Sequence, residues 1–275
     1  MTDVARSHEH ELSLQQPLRL FAALLVLLWG ARAASADSAF EFPMPEEFGT
    51  VAAGTYDGSG ARLGNASFIA GLEEDGSVRL EATSAIEGSA STRFLVKLET
   101  LENGKLRPIY EESRSIDIDG HPLGVMSIDH REGVVTCEPA AHDKDGHRRQ
   151  MKLPDDDRVL NIPLHLLFQP LVRGEVEEIS FKIVLCRPDP RIIDALAQVV
   201  EGKGAESGIV EVQYTIDLGF WNRIAAPFVP TLSMWFDSKA PNGWIGHRVP
   251  LYTKGPTVSI LREGIDPHQV GTRGD

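Results

Sequence analysis

The chain has 275 residues, 42% of them hydrophobic, and a formal net charge of -13. That apolar content supplies a sizeable core without metals or several disulfides, which excludes a disordered chain. The acidic balance repels phosphate backbones, and Lys and Arg form no patch, which excludes nucleic acid as a partner.

Leu20 to Trp29 is an uncharged apolar run, with Arg19 before it and Ala31-Arg32-Ala33-Ala34-Ser35-Ala36 after it. A bilayer span takes about 20 residues, so the run is too short for one. The small residues Ala34 and Ala36 suit a signal peptidase. These features predict a cleavable export signal over 1–36 and a mature chain that starts at Asp37 without a transmembrane span. Asp3, Glu9 and Glu11 are unusual for such a signal and point to a translation start further downstream. No cysteine lies beside the cleavage site, so no lipid anchor is expected. Export predicts a periplasmic or secreted protein of a bacterium.

Asp37–Phe48 reads as an extended lead-in. Strands with period-two alternation are predicted over Arg62–Leu72, Ser77–Ile86, Thr92–Leu101, Leu106–Ile118, Gly124–His130 and Val134–Cys137. Asn103-Gly104 predicts a type I′ hairpin turn. Glu138–Gln150 is a polar loop, and Leu160–Leu171, apolar with Pro163 and Pro170, predicts a short helix or extended crossover. Val176–Cys186 is a further strand, and Arg191–Val200 suits helix or strand. Ile209–Leu218, Thr231–Phe236, Trp244–Tyr252 and Thr257–Arg262 complete the set, with a Pro241-Asn242-Gly243 turn before Trp244. Roughly ten short strands predict a mostly β fold: a curved antiparallel sheet forming an open or closed barrel with one short helical crossover. A β-sandwich is the alternative. One β-rich domain is expected over 37–264, followed by a flexible tail over 265–275.

Cys137 and Cys186 are the two cysteines. An even count in an oxidising compartment predicts a disulfide between them; two buried thiols are the alternative.

Chemical motifs are sparse. His142, Asp143, Asp145 and His147 share one loop, but the calcium pattern that Asp143-x-Asp145 opens is not completed, since Pro154 stands where a late carboxylate belongs. Zinc needs ligands in fixed geometry, so a solvated loop is expected and no metal. His121, Asp129 and His130 lie near hairpin ends, where a His–Asp pair can orient a general base. No Gly-x-Ser-x-Gly or His-Glu-x-x-His accompanies them, so no catalytic residue and no cofactor is assigned. Asp57-Gly58-Ser59-Gly60 reads as a turn and Asp155-Asp156-Asp157 as a solvated face.

Trp221, Phe228, Trp235, Phe236 and Trp244 gather in the last third. Such side chains line the mouth of a barrel or fill its core. Trp221, Phe228, Trp235 and Trp244 are the candidate ligand-binding residues, with an apolar small molecule or lipid as the ligand.

The stretch Pro230-Thr231-Leu232-Ser233-Met234-Trp235-Phe236-Asp237, with Gly246-His247-Arg248-Val249-Pro250-Leu251 and Lys254-Gly255-Pro256 after it, resembles exported bacterial proteins carrying a domain of unknown function, the 3108 family. The resemblance covers most of the mature chain through the order signal, meander, crossover and tryptophan hairpin. It implies an envelope location and a curved sheet similar to the half-barrels that carry lipoproteins through the periplasm. It transfers no catalytic residue. The expected function is therefore non-catalytic binding of an apolar ligand or an envelope protein. An envelope hydrolase or metal-dependent enzyme using the central histidines is the second reading, and a structural envelope protein the third.

Overall fold

Among the described residues, fourteen strands hydrogen-bond into one antiparallel sheet. The computed structural model describes residues 40–45, 48–140, 147–154, 158–187, 189–200, 208–217, 232–252 and 255–270. They belong to a unit that runs from Phe40 to Asp275. The expected export signal, the residues His142, Asp143 and Asp145, and the candidates Trp221 and Phe228 lie outside the described residues.

The sheet is two meanders joined at one pair. The first comprises β1 (Gly49–Tyr56), β2 (Arg62–Leu72), β3 (Val78–Ile86), β4 (Ala90–Thr100), β5 (Leu106–Asp117), β6 (Pro122–Asp129), β7 (Val134–Glu138) and β8 (Arg149–Lys152). The second comprises β9 (Glu178–Arg187), β10 (Asp189–Val199), β11 (Ile209–Ile216), β12 (Leu232–Asp237), β13 (Trp244–Pro250) and β14 (Thr257–Arg262). β1 pairs with β14, so β8 and β9 become the two edges.

That topology dictates the interior. The connection from β8 to β9 joins opposite edges of the sheet and must cross one of its faces. It crosses the concave one, as α1 (Leu164–Leu167) and α2 (Gln169–Val172), two single turns. Leu160, Leu164, Leu166, Leu167, Phe168 and Leu171 of this crossover pack with Val78, Leu80, Val96 and Leu98 of the first meander. The same cluster takes in Phe181, Tyr214, Leu232, Met234 and Phe236 of the second. Phe168 meets Phe181 at 5.7 Å and Tyr214 at 5.6 Å between ring centroids. The sheet thus curls around its own crossover, and burying that apolar segment is what holds the curl.

The edges are linked without closing the ladder. β8 and β9 are not hydrogen-bonded to each other, so the barrel is open. Instead Cys137 of β7 and Cys186 of β9 form the expected disulfide, with Cα atoms 5.7 Å apart. Ile128, Val135, Val159 and Val184 pack around it. Residues Arg158–Asn161 also cover the β9 edge: Leu160 N–H donates to Lys182 O at 2.8 Å, and the Asn161 side chain exchanges two bonds with Val184. An unpaired edge invites aggregation, and this cover occupies the backbone groups of Lys182 and Val184 in the middle of one. Replacing both cysteines by alanine is expected to cost about 2–4 kcal/mol, because the bond closes a loop of 49 residues. Urea unfolding with and without reductant checks it. Equal midpoints for wild type and variant would contradict the assigned role.

Most expected strands stand within two or three residues of their predicted ends. Arg191–Val200, open to either reading, is a strand. Two strands were missed, β1 and β8. The Asn103-Gly104 turn is corrected: Gly104 has φ 79 but Asn103 is not in the left-handed region. Gly104 N–H donates to Leu101 O and Leu101 N–H to Lys105 O, a type I turn closed by a left-handed glycine. The tail expected to be flexible from residue 265 is packed as far as Val270, whose 3-10 turn Pro267–Val270 lies against Trp235.

Candidate functional site

Strand alternation sorts the side chains of the terminal hairpin. On β12, Leu232, Met234 and Phe236 face the crossover, while Trp235 points the other way. Trp235 is 2% exposed beneath Ile209, Ile245, Leu261 and Val270. Both faces of this strand are therefore apolar, as its sequence predicts. The covering segment over Trp235 is the C-terminal turn rather than the crossover. Trp235, a candidate ligand-binding residue by sequence, belongs to this outer layer and not to the concave face.

Trp244 does face inward. β13 pairs Phe236 with Trp244 and Met234 with His247, and His247 lies opposite Ile260 of β14. Trp244 packs against two inner clusters, the crossover core and a smaller one around Ala53, Ala66, Val258 and Leu251. The smaller cluster is anchored by Thr92, whose hydroxyl donates to Leu251 O at 2.8 Å. Between the two clusters runs a seam. Phe68 of β2 stands 6.3 Å from Trp244, His165 of α1 meets Phe68 edge-on at 5.1 Å, and His247 lies 5.6 Å from Trp244, all between ring centroids.

These four rings are only partly buried, whereas their inner-face neighbours Leu232, Met234, Phe236 and Ile260 are fully so. An inward-facing aromatic that stays partly exposed marks an opening in the packed interior. Although partly accessible, both rings are largely desolvated by the apolar groups around them, which pushes both imidazoles down to about 4, with His247 adding to the effect on His165. Among the described residues neither ring has a hydrogen-bond or ion-pair partner. Sequence reasoning placed Trp244 here but missed Phe68, His165 and His247.

A second polar feature on the concave face was also missed. Glu111 of β5 is 0% exposed. One carboxylate oxygen accepts from His130 Nε2 at 2.8 Å. The other accepts from the backbone N–H of Asn161 at 3.0 Å and of Ile162 at 2.6 Å. Burial raises its pKa, and the hydrogen bonds from His130 and the crossover oppose that rise. Glu111 thus ties the crossover to the sheet. His130, which the sequence sets next to Asp129 near a hairpin end, is paired with Glu111 instead. Asp129 accepts from the N–H groups of Arg131 and Glu132 in its own turn.

Asp117, Asp119 and His121 bring three ligand atoms together in the exposed β5–β6 turn. Asp117 Oδ1 already accepts from the N–H groups of Asp119 and His121, which is ordinary turn capping. Asp57 plays the same part for Ser59 and Ala61. His147 is exposed. No helix among the described residues is long and apolar enough to cross a membrane.

No protein-family model matches the chain, and no curated protein matches it. Among solved structures the chain is similar to a beta-barrel-like protein of domain of unknown function DUF1849 from Brucella abortus, with 7% identity and a TM-score of 0.40. The match covers 78% of this chain and 98% of that one.

Proposed function

We propose that this chain is an exported, non-catalytic β domain that binds an apolar ligand in the concave seam beside Trp244. The carrying observation is the contrast in burial: Phe68, His165, Trp244 and His247 face the interior yet stay partly accessible, between two packed clusters. Pockets for small molecules are mostly apolar with a few polar groups, and Phe68 and Trp244 with His165 and His247 supply both kinds of lining. The apolar run ahead of Ala34 and Ala36 and the Cys137–Cys186 disulfide support a periplasmic or secreted location. Kinship with the 3108 family rests on the tryptophan hairpin motif of the sequence alone.

Uptake of a neutral apolar dye, phenylnaphthylamine, tests the reading. Wild type is expected to take it up saturably. Trp244→Ala is expected to bind about tenfold more weakly, a loss of roughly 1.4 kcal/mol. Ile118→Ser, at an exposed hairpin tip, is expected to bind as wild type does. Unsaturable uptake, or a Trp244→Ala variant with unchanged affinity, would overturn the proposal.

A further inference from the structure

Among the described residues Glu111 is the one carboxylate that is fully buried. Its two oxygens are used differently. One meets His130 Nε2 at 2.8 Å, a contact through which a proton can pass. The other accepts from the N–H groups of Asn161 at 3.0 Å and Ile162 at 2.6 Å. Those two residues end the segment that covers the β9 edge, and α1 begins just after them. Glu111 therefore grips the crossover at its root with one oxygen and shares a proton site with the other.

We propose that Glu111 and His130 form a proton-operated latch: while the pair holds one proton between them, the crossover is fastened to the concave face, and loss of that proton loosens it. With the proton, carboxyl and imidazole make a neutral unit, whether drawn as two opposite charges or as a neutral acid beside a neutral ring. Without it, a net negative charge is left in the interior. A buried charge is costly unless it is compensated, and a neutral unit escapes most of that cost. Opening the crossover lets water reach the carboxylate, so removal of the proton favours the open state. The latch operates whatever the seam binds.

The surrounding elements supply no second counter-charge. Across the neighbouring strands Glu111 stands opposite Val96 of β4 and Ile128 of β6, both apolar. Its chain neighbours Tyr110 and Glu112 alternate to the outer face, where they bond each other at 3.0 Å and Glu112 pairs with Arg114. Asp129 is taken up by the N–H groups of its own turn. The covering segment carries one charged residue, Arg158, at an exposed position. On β9 the Lys182 ammonium lies 3.9 Å from Asp194 of β10. His165, on the first turn after the grip, meets Phe68 edge-on.

The direction of the response follows from burial. Desolvation raises the hold of Glu111 on a proton in the folded chain, and the bonds from His130, Ile162 and Asn161 oppose that rise. A group raised on folding contributes stability below its unfolded value and loses it as pH climbs through the folded one. The latch therefore holds in mild acid and slackens in alkali. Its apparent pKa belongs to the pair and to neither residue alone. Beyond that value the release of one proton weakens the grip by up to about tenfold for each pH unit.

Hydrogen exchange of the isotope-labelled full chain tests the latch, because the amides of Asn161 and Ile162 donate to Glu111 itself. Their protection factors, corrected for the intrinsic pH dependence of exchange, are expected to fall roughly tenfold or more between about pH 5 and about pH 9, while ladder amides of β3 and β4 hold level. Glu111→Gln is neutral throughout and keeps an acceptor oxygen for the crossover, so it should show no such fall. In wild type the carboxyl carbon of Glu111 and the ring carbons of His130 should report one shared step in that range. Flat protection at Asn161 and Ile162 in wild type would overturn the latch. So would an equal fall in Glu111→Gln, since loosening would then need no charge at position 111. Separate titration of carboxyl and ring, with the carboxyl in the ordinary carboxylate range, would also overturn it, and that measurement depends on no variant.

Discussion

Glu111→Ala is expected to lower the stability of the folded chain by about 3–5 kcal/mol, as removal of one member of a buried, hydrogen-bonded pair does. The carboxylate serves three donors at once: His130 Nε2 and the N–H groups of Asn161 and Ile162. Alanine leaves all three without this acceptor in a half-buried setting, and an unmet buried donor costs about 1–3 kcal/mol. The damage extends further, because Asn161 also holds β9 through Val184. Glu111→Gln retains an acceptor oxygen for the crossover and is expected to cost less than half as much. Urea unfolding of both variants checks the pair. A Glu111→Ala variant within 1 kcal/mol of wild type would show that the crossover is held by apolar packing alone.

Trp235→Ala is expected to cost about 3–5 kcal/mol, as for any fully buried large aromatic. Its ring fills the outer layer between the sheet and the turn Pro267–Val270, against Ile209, Ile245 and Leu261. Truncation would loosen that turn as well as open a cavity. Because Trp235 lies on the outer face, the folded fraction of the variant should bind phenylnaphthylamine as wild type does. The contrast with Trp244→Ala separates the two tryptophans: one holds structure, the other lines the seam. A stable Trp235→Ala variant, or one that folds but loses the dye, would contradict this division.

The strands were legible because one face of each is wet. On β4 the buried Val96 and Leu98 alternate with Lys97 and Glu99. The outer face carries ion pairs such as Arg93 with Glu81 at 2.7 Å and Arg107 with Glu99 at 2.6 Å, which matter little for stability but write the alternation into the sequence. β1 and β8 lack that pattern. β1 reads GTVAAGTY, small residues among which the Tyr56 ring lies over Gly54. β8 is four residues, RQMK, with Met151 alone packed inward. Neither offers the alternation that marks a half-buried strand.

The site was less legible, for a different reason. Trp244 was found because large aromatics draw notice wherever they stand. Phe68, His165 and His247 come from three distant parts of the chain and meet through register and through the path of the crossover. Glu111 sits in Tyr110-Glu111-Glu112, where neither neighbour marks it as the inward residue. Only its pairing with Val96 and Ile128 puts it on the concave face.

The most direct test of binding in the seam is to locate a bound chain. A dodecyl chain bearing a nitroxide, added to isotope-labelled protein, broadens the resonances of nuclei near it. Binding in the seam predicts broadening concentrated on the side chains of Phe68, His165, Trp244 and His247, with Trp235 spared. Broadening centred on the exposed apolar residues Ile69, Leu72 and Ile118, or none at saturating chain, would contradict it.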